Sequence, residues 1–489
     1  MAGVTDRMLM DALAVSFLIE RLNWPVPMVR WRAARAIRDL VNAPETRADT
    51  TNALLAFLSA ATTETEACAV LTILLMARRE ATPPPPTLIA AIRRPSILAG
   101  VLVRHMHGED GVDWRSAHSG HPPGTFEPEP YFSKYCTAHV PAILSSNLKR
   151  LEGHSGFPFM RQWAFEWHCL QQQTGVRRTE YPYYFSDYLE VQSGIIGQYI
   201  QRQGEIFRSA YLRTLAFAVN VWRLPAAVAE KWCMDLVPAI AGLFDVDPGP
   251  RPSWLGDFPE RCAKAPDNLE GIVRELLDAT HTAQMRPVAI HAPIRAEVAP
   301  FGDLSLTAHL VTHDFVPSAN EPSEWLEFAA LEESFELTGE RTSTPLFDYS
   351  SEGVAGLTAP VCTSLFPQPY GYWQQDYYST GIPMPASYVI PSGTTWRCTA
   401  NGIELEDCGR GIATTSFWLD QWTPRRPREG STRCGSQALL DAALLDEACA
   451  RLKRSLRWRA RIRLWQRERD FDDYKLTERA VQMGTNGWF

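Results

Sequence analysis

The residues best equipped for chemistry lie near the C-terminus, where Arg457, Arg459, Arg461 and Arg463 alternate strictly with Trp458, Ala460, Ile462 and Leu464. Successive side chains of a strand point to opposite faces, so this spacing predicts one arginine face and one apolar face. A row of guanidinium groups repels itself unless acids, phosphates or solvent screen it. Guanidinium grips phosphate or carboxylate with two parallel hydrogen bonds, and an aromatic neighbour such as Trp465 can stack on a base. Three occupants fit the face: a phosphate-bearing ligand such as nucleic acid, an acidic protein surface, or the chain's own carboxylates, among them Asp470, Asp472 and Asp473.

A second concentration of chemistry is His105, His107, His118 and His121, four of the eleven histidines, interleaved with Glu109, Asp110 and Asp113. Neutral imidazole with carboxylate suits zinc or another divalent cation, although this spacing follows no established zinc pattern. A solvated polar loop explains the same residues. Apart from a zinc ion here, no cofactor is expected. A third is the aromatic stretch around Tyr372 and Trp373, which suits either a stacking platform for a ligand or a cover over a core edge. His291 and His313-Asp314 stand near strand-like segments, where an acid–base role competes with an ordinary structural one.

Several signatures are missing. The chain holds no GxxxxGK[ST], no GxGxxG after a strand, no GxSxG and no HExxH, so the sequence supports no P-loop, dinucleotide fold, nucleophile elbow or zincin. A net charge of -8 argues against wholesale coating of nucleic acid. The ten cysteines form no CxxC pair, and no apolar run is long enough to span a bilayer. The N-terminus lacks a signal-peptide layout, which points to a reduced, cytoplasmic protein with no membrane contact. Arginine greatly outnumbers lysine, as a GC-rich bacterial genome produces.

These groups need elements to position them. Apolar residues at helical spacing mark helices over the first hundred residues, and a loop rich in Gly, Pro and His follows. Helical spacing resumes to about residue 245, then gives way to period two in Val288–Ala292 and Leu304–Leu310. Glu324–Leu337 reads as a short helix, Ile412–Trp422 as a strand, Ser436–Lys453 as an amphipathic helix and Leu456–Gln466 as a strand. Asn401-Gly402 signals a hairpin, because a type I′ turn needs positive φ. The expected organisation is therefore a helical segment over 1–106, a linker over 107–131, a helical domain over 132–255 and an α+β domain with antiparallel strands over 256–489.

Pro27-Met-Val-Arg30-Trp-Arg-Ala-Ala-Arg-Ala-Ile37-Arg-Asp-Leu40 resembles the second helix of a HEAT repeat, with a proline opening the helix, Val-Arg soon after, then small residues and a Leu/Ile stripe. The resemblance covers roughly residues 5–106. It implies an α-solenoid of stacked helix pairs that binds a partner protein or sometimes nucleic acid, and it implies no activity. The leading expectation is a bacterial interaction or sensor scaffold in a signalling or phage-defence complex, holding a partner through its helices and a second ligand through its C-terminal domain. One alternative is a metal-dependent hydrolase or nuclease using the arginines for phosphate and Asp470 and Asp473 for metal. Another is a non-catalytic nucleic-acid-binding protein using the Arg457–Arg463 strand.

Overall fold

The computed structural model describes residues 14–108, 111–130, 132–175, 194–239, 243–280, 283–296, 300–313, 328–330, 358–366, 372–374, 382–419, 434–469 and 472–484. The chain is α+β and divides into two compact units. The first holds Met1–Phe244 with Gln368–Gln374, and the second holds Asp245–Pro367 with Gln375–Phe489.

In the helical unit, α1 (Pro27–Asn42) begins on a proline whose missing N–H would have had no partner in a first turn. Its buried stripe is Trp31, Ala34, Ile37 and Val41, and Arg30 is buried with them. After α2 (Arg47–Ala60), α3 (Glu64–Leu75) starts in a reciprocal capping box between Thr63 and Glu66. The unit continues through α4 (Pro85–Ala91), α5 (Ile97–His107), α6 (Phe132–His139), α7 (Ala142–Ser155), α8 (Phe159–Thr174), α9 (Gly194–Asn220) and α10 (Ala226–Cys233).

Helix α9 is the central post, packing on α3, α5, α6, α8 and α10. It contributes Phe207, Tyr211, Leu215 and Phe217 to the core. Its charged residues face inward as well. Arg30 Nη1 donates to Glu205 Oε1 at 2.9 Å, and Arg213 Nε donates to Glu64 Oε1 at 2.7 Å. Removing one member of such a buried pair strands the other and costs about 3–5 kcal/mol. Arg30, in the first turn of the proline-led helix α1, is thus an interior bolt.

The sheet unit is built on a nine-stranded antiparallel sheet in the order β12-β11-β2-β1-β10-β9-β8-β7, with β4 also paired to β2. Its strands are β1 (Met285–Pro293), β2 (Phe301–Val311), β4 (Thr358–Pro360), β7 (Thr395–Thr399), β8 (Gly402–Asp407), β9 (Arg410–Leu419), β10 (Cys434–Asp441), β11 (Ser455–Gln466) and β12 (Lys475–Gly484). A smaller sheet joins β3 (Phe328–Ala330), β5 (Cys362–Phe366) and β6 (Ile382–Pro385), with β5 central. Helices α11 (Phe258–Lys264) and α12 (Leu269–Thr280) pack on one face of the large sheet, over β11.

Three sequence expectations are corrected here. The run from Ser436 to Lys453 divides into β10 and a helix, α13 (Ala442–Leu452). The break falls at Asp441, whose Oδ1 accepts from the amides of Ala443 and Leu444 and so caps the helix. Phe328–Ala330, expected in a helix, is strand β3, held parallel to β5; the remainder of 324–337 lies outside the described residues. The hairpin at Asn401-Gly402 exists, but Thr399 pairs with Gly402, so Ala400 and Asn401 are the loop residues. Gly402 serves close approach instead of positive φ, because a Cβ there would sit 1.9 Å from the Thr415 carbonyl oxygen on β9.

Candidate functional site

Strand β11 places the four arginines. Helix α13 ends at Lys453, which adopts the left-handed conformation (φ 52°), and the Arg454 amide then bonds back to the Cys449 carbonyl. The chain leaves extended, and its alternation is realised physically. Leu456, Trp458, Ala460, Ile462 and Leu464 are buried, while Arg457, Arg459, Arg461 and Arg463 are half-buried. Trp458, on the apolar face, donates its indole N–H to the Pro287 carbonyl.

Register identifies the arginines' neighbours, since directly paired residues share a face. On β2, Arg457, Arg459, Arg461 and Arg463 stand opposite His309, Thr307, Ser305 and Asp303. On β12 they stand opposite Gly484, Gln482, Ala480 and Glu478. One strand further in, His291 on β1 lies opposite Ser305, and Ser436 on β10 lies opposite His291. The arginine face is therefore polar along β11 and β2, and His291 and Ser436 extend it at single positions on β1 and β10.

Asp303 is fully buried and receives two hydrogen bonds from Arg463, each 3.0 Å long. Arg463 also lies over Trp465, its guanidinium carbon 5.2 Å from the ring centre. Trp465 is itself buried, opposite Phe301 and Leu476. Burial pushes His291 down to about 4, with Arg463 and Arg461 adding to the effect and Asp303 opposing it. Its Nε2 is shielded from solvent and has no hydrogen-bond partner among the described residues. Burial likewise pushes His309 down to about 4, with Arg459 contributing, and His309 Nε2 lies 3.1 Å from the Thr307 hydroxyl. Both imidazoles are neutral near pH 7. Chemically this face offers cationic two-pronged donors beside neutral imidazoles and hydroxyls, which suits recognition of an oxyanion.

The other sequence-derived candidates are dispersed. His105 and His107 lie in the last turn of α5. His118 Nδ1 accepts from the Gly120 amide, and its Nε2 lies 3.0 Å from the Asn220 side-chain nitrogen. His118 and His121 both contact Phe217 edge-on. Glu166 on α8 holds the Ser119 amide with both carboxylate oxygens, at 2.9 and 3.1 Å. Burial raises its carboxyl above the usual range. Glu109 and Asp110 lie outside the described residues, and among those described no group of three His, Cys, Asp or Glu side chains is arranged to hold a metal.

Tyr372 and Trp373 lie in the interior of the helical unit. The Trp373 amide bonds to the Pro238 carbonyl at 3.0 Å, and Gln374 Nε2 to the Leu243 carbonyl at 2.7 Å. Tyr372 lies under the Arg208 guanidinium, 4.4 Å from ring centre to carbon. Asp473 is exposed, and Asp470 and Asp314 lie outside the described residues. No two of the described cysteines are joined in a disulfide, and no described helix is long and apolar enough to cross a membrane.

Sequence reasoning missed Asp303, Ser305, Thr307 and His309 as neighbours of the arginines. The polar phase of Asp303-Leu-Ser-Leu-Thr-Ala-His309 was a usable signal, but which strand lies beside it is a long-range matter. Compared with known proteins, the chain matches no protein-family model, and a search of curated proteins finds no significant match.

Proposed function

We propose that this chain is a bacterial, cytoplasmic interaction protein whose HEAT-like helical pairs hold a partner protein. In this reading the arginine-faced strand of the sheet unit holds a second, anionic ligand, as a sensor or scaffold in a signalling or phage-defence complex would require. The observation that carries the reading is the half-buried row Arg457, Arg459, Arg461 and Arg463 on β11, next to the buried Asp303 and His309 on β2. Half-buried on a strand paired on both sides, the four guanidinium groups are restrained, so less side-chain entropy is lost when an anion is gripped.

Heparin chromatography of the full chain tests the ligand arm. The wild type is expected to be retained despite its net charge of -8, with Arg459→Gln/Arg461→Gln eluting at clearly lower salt. Absence of retention, or equal retention of both proteins, overturns the arginine strand as the ligand face.

A further inference from the structure

Among the described residues, strand β12 is the outermost strand of the large sheet on the arginine side and pairs with β11 alone. Ten consecutive residue pairs run from Arg457–Gly484 to Gln466–Lys475 without a bulge, and Lys475–Gly484 contains no proline. Lys475, Leu476, Arg479 and Ala480 are exposed, Leu476 by 52%. No backbone hydrogen bond among the described residues engages the outer side of this strand. A regular, solvent-reachable edge of this length is a template for one more strand.

Residue sizes on the arginine face make that edge chemically selective. Between the arginines and the edge stand Gly484, Gln482 and Ala480, opposite Arg457, Arg459 and Arg461. A strand added to β12 would lie two strand spacings from β11, roughly 10 Å. An arginine side chain covers most of that distance, and a glutamate from the other side covers the remainder. Because side chains alternate, only acids at every second position of the added strand would meet the arginine face. On the opposite face Lys475 and Arg479 are already paired with Glu468 at 3.1 Å and Asp267 at 3.7 Å, so the selectivity for acids rests on the arginine face.

We propose that β12 is a docking edge for an extended acidic segment of a partner protein, which adds as a further strand and sets alternate carboxylates against Arg457, Arg459 and Arg461. This rests on the reading of β11 as an anion-recognition face and names its ligand. The main-chain ladder supplies affinity, and the arginines supply the preference for acids and their spacing.

Fluorescence anisotropy of the full chain with labelled synthetic peptides tests this. The probe is a short Glu-Thr-Glu-Val repeat. Its controls are an isomer of equal composition with the glutamates grouped, an N-methylated copy unable to form a ladder, and a Gln-for-Glu copy. The repeat is expected to bind at least about tenfold more tightly than any control, and Arg459→Gln/Arg461→Gln is expected to erase the difference. Circular dichroism of that variant establishes that it folds. Equal binding of the repeat, grouped and N-methylated peptides overturns strand addition while leaving a diffuse anion face intact. Binding of none of them together with no heparin retention overturns both readings. Concentration-dependent dimerisation that excludes the peptide makes a second copy the occupant of the edge and also overturns the proposal.

Discussion

The two units use arginine in opposite ways. In the helical unit Arg30 and Arg213 are buried against equally buried acids, Glu205, which Arg208 also approaches at 3.5 Å, and Glu64. In the sheet unit arginines come four at a time, at period two, half-buried along one strand, with the buried Asp303 gripping Arg463 at one end. An interior pair holds helices together and is energetically closed. A row of like charges along a strand repels itself and favours folding less, and the proposed anion ligand would relieve that repulsion. Arg463 belongs to both patterns, standing in the row and holding a fully buried carboxylate.

The largest effect expected from this contrast is in the helical unit. Glu64→Ala leaves Arg213 buried without its carboxylate and should cost about 3–5 kcal/mol in chemical denaturation, enough to threaten folding of that unit. Arg463→Ala should cost about 3 kcal/mol by stranding the fully buried Asp303, whereas Arg463→Ala/Asp303→Ala together should recover part of that loss. If Arg463→Ala leaves stability untouched, the distinction between its role and that of the rest of the row collapses.

Acid sensitivity follows next. Burial pushes His139 in the helical unit, and His291 and His309 in the sheet unit, down to about 4. Their unfolded forms titrate near ~6.5, so between those values the unfolded chain binds more protons than the folded one. Stability should therefore be level above that window and fall as pH drops through it. His309→Gln should reduce the slope by the equivalent of one proton, and an unchanged slope would remove His309 from the account. The smallest effect is local. Asp441→Ala removes the cap of α13 and the Arg410 partner, and should cost about 1 kcal/mol in thermal unfolding. Although burial opposes it, the Asp441 carboxyl is held below its usual range by Arg410 and the cap amides, so this contribution is present above the ordinary carboxylate pKa and is lost as pH falls through the folded value.

What could be read from the sequence was whatever is local. The Pro27 helix start, the α+β character and the period-two arginine strand follow from short-range steric and hydrophobic patterning, and Arg457–Leu464 lies in β11 as its alternation implies. Long-range placement could not be read. Nothing near Asp303 announces that it faces Arg463, 160 positions away. Nothing in the stretch around Tyr372 says that it belongs with Pro238 and Leu243 in a helical core while its sequence neighbours belong with the sheet. The run Ser436–Lys453 misled because buried strands and amphipathic helices share apolar content, and only the cap at Asp441 separates them.

The central claim is that the arginine row recognises an anion. The most direct measurement is the slope of log affinity against log salt for a labelled heparin oligosaccharide, compared between the wild type and Arg459→Gln/Arg461→Gln. The account predicts a negative slope for the wild type, shallower by about two in the variant, roughly one for each cation removed. Identical slopes for the two proteins would contradict it.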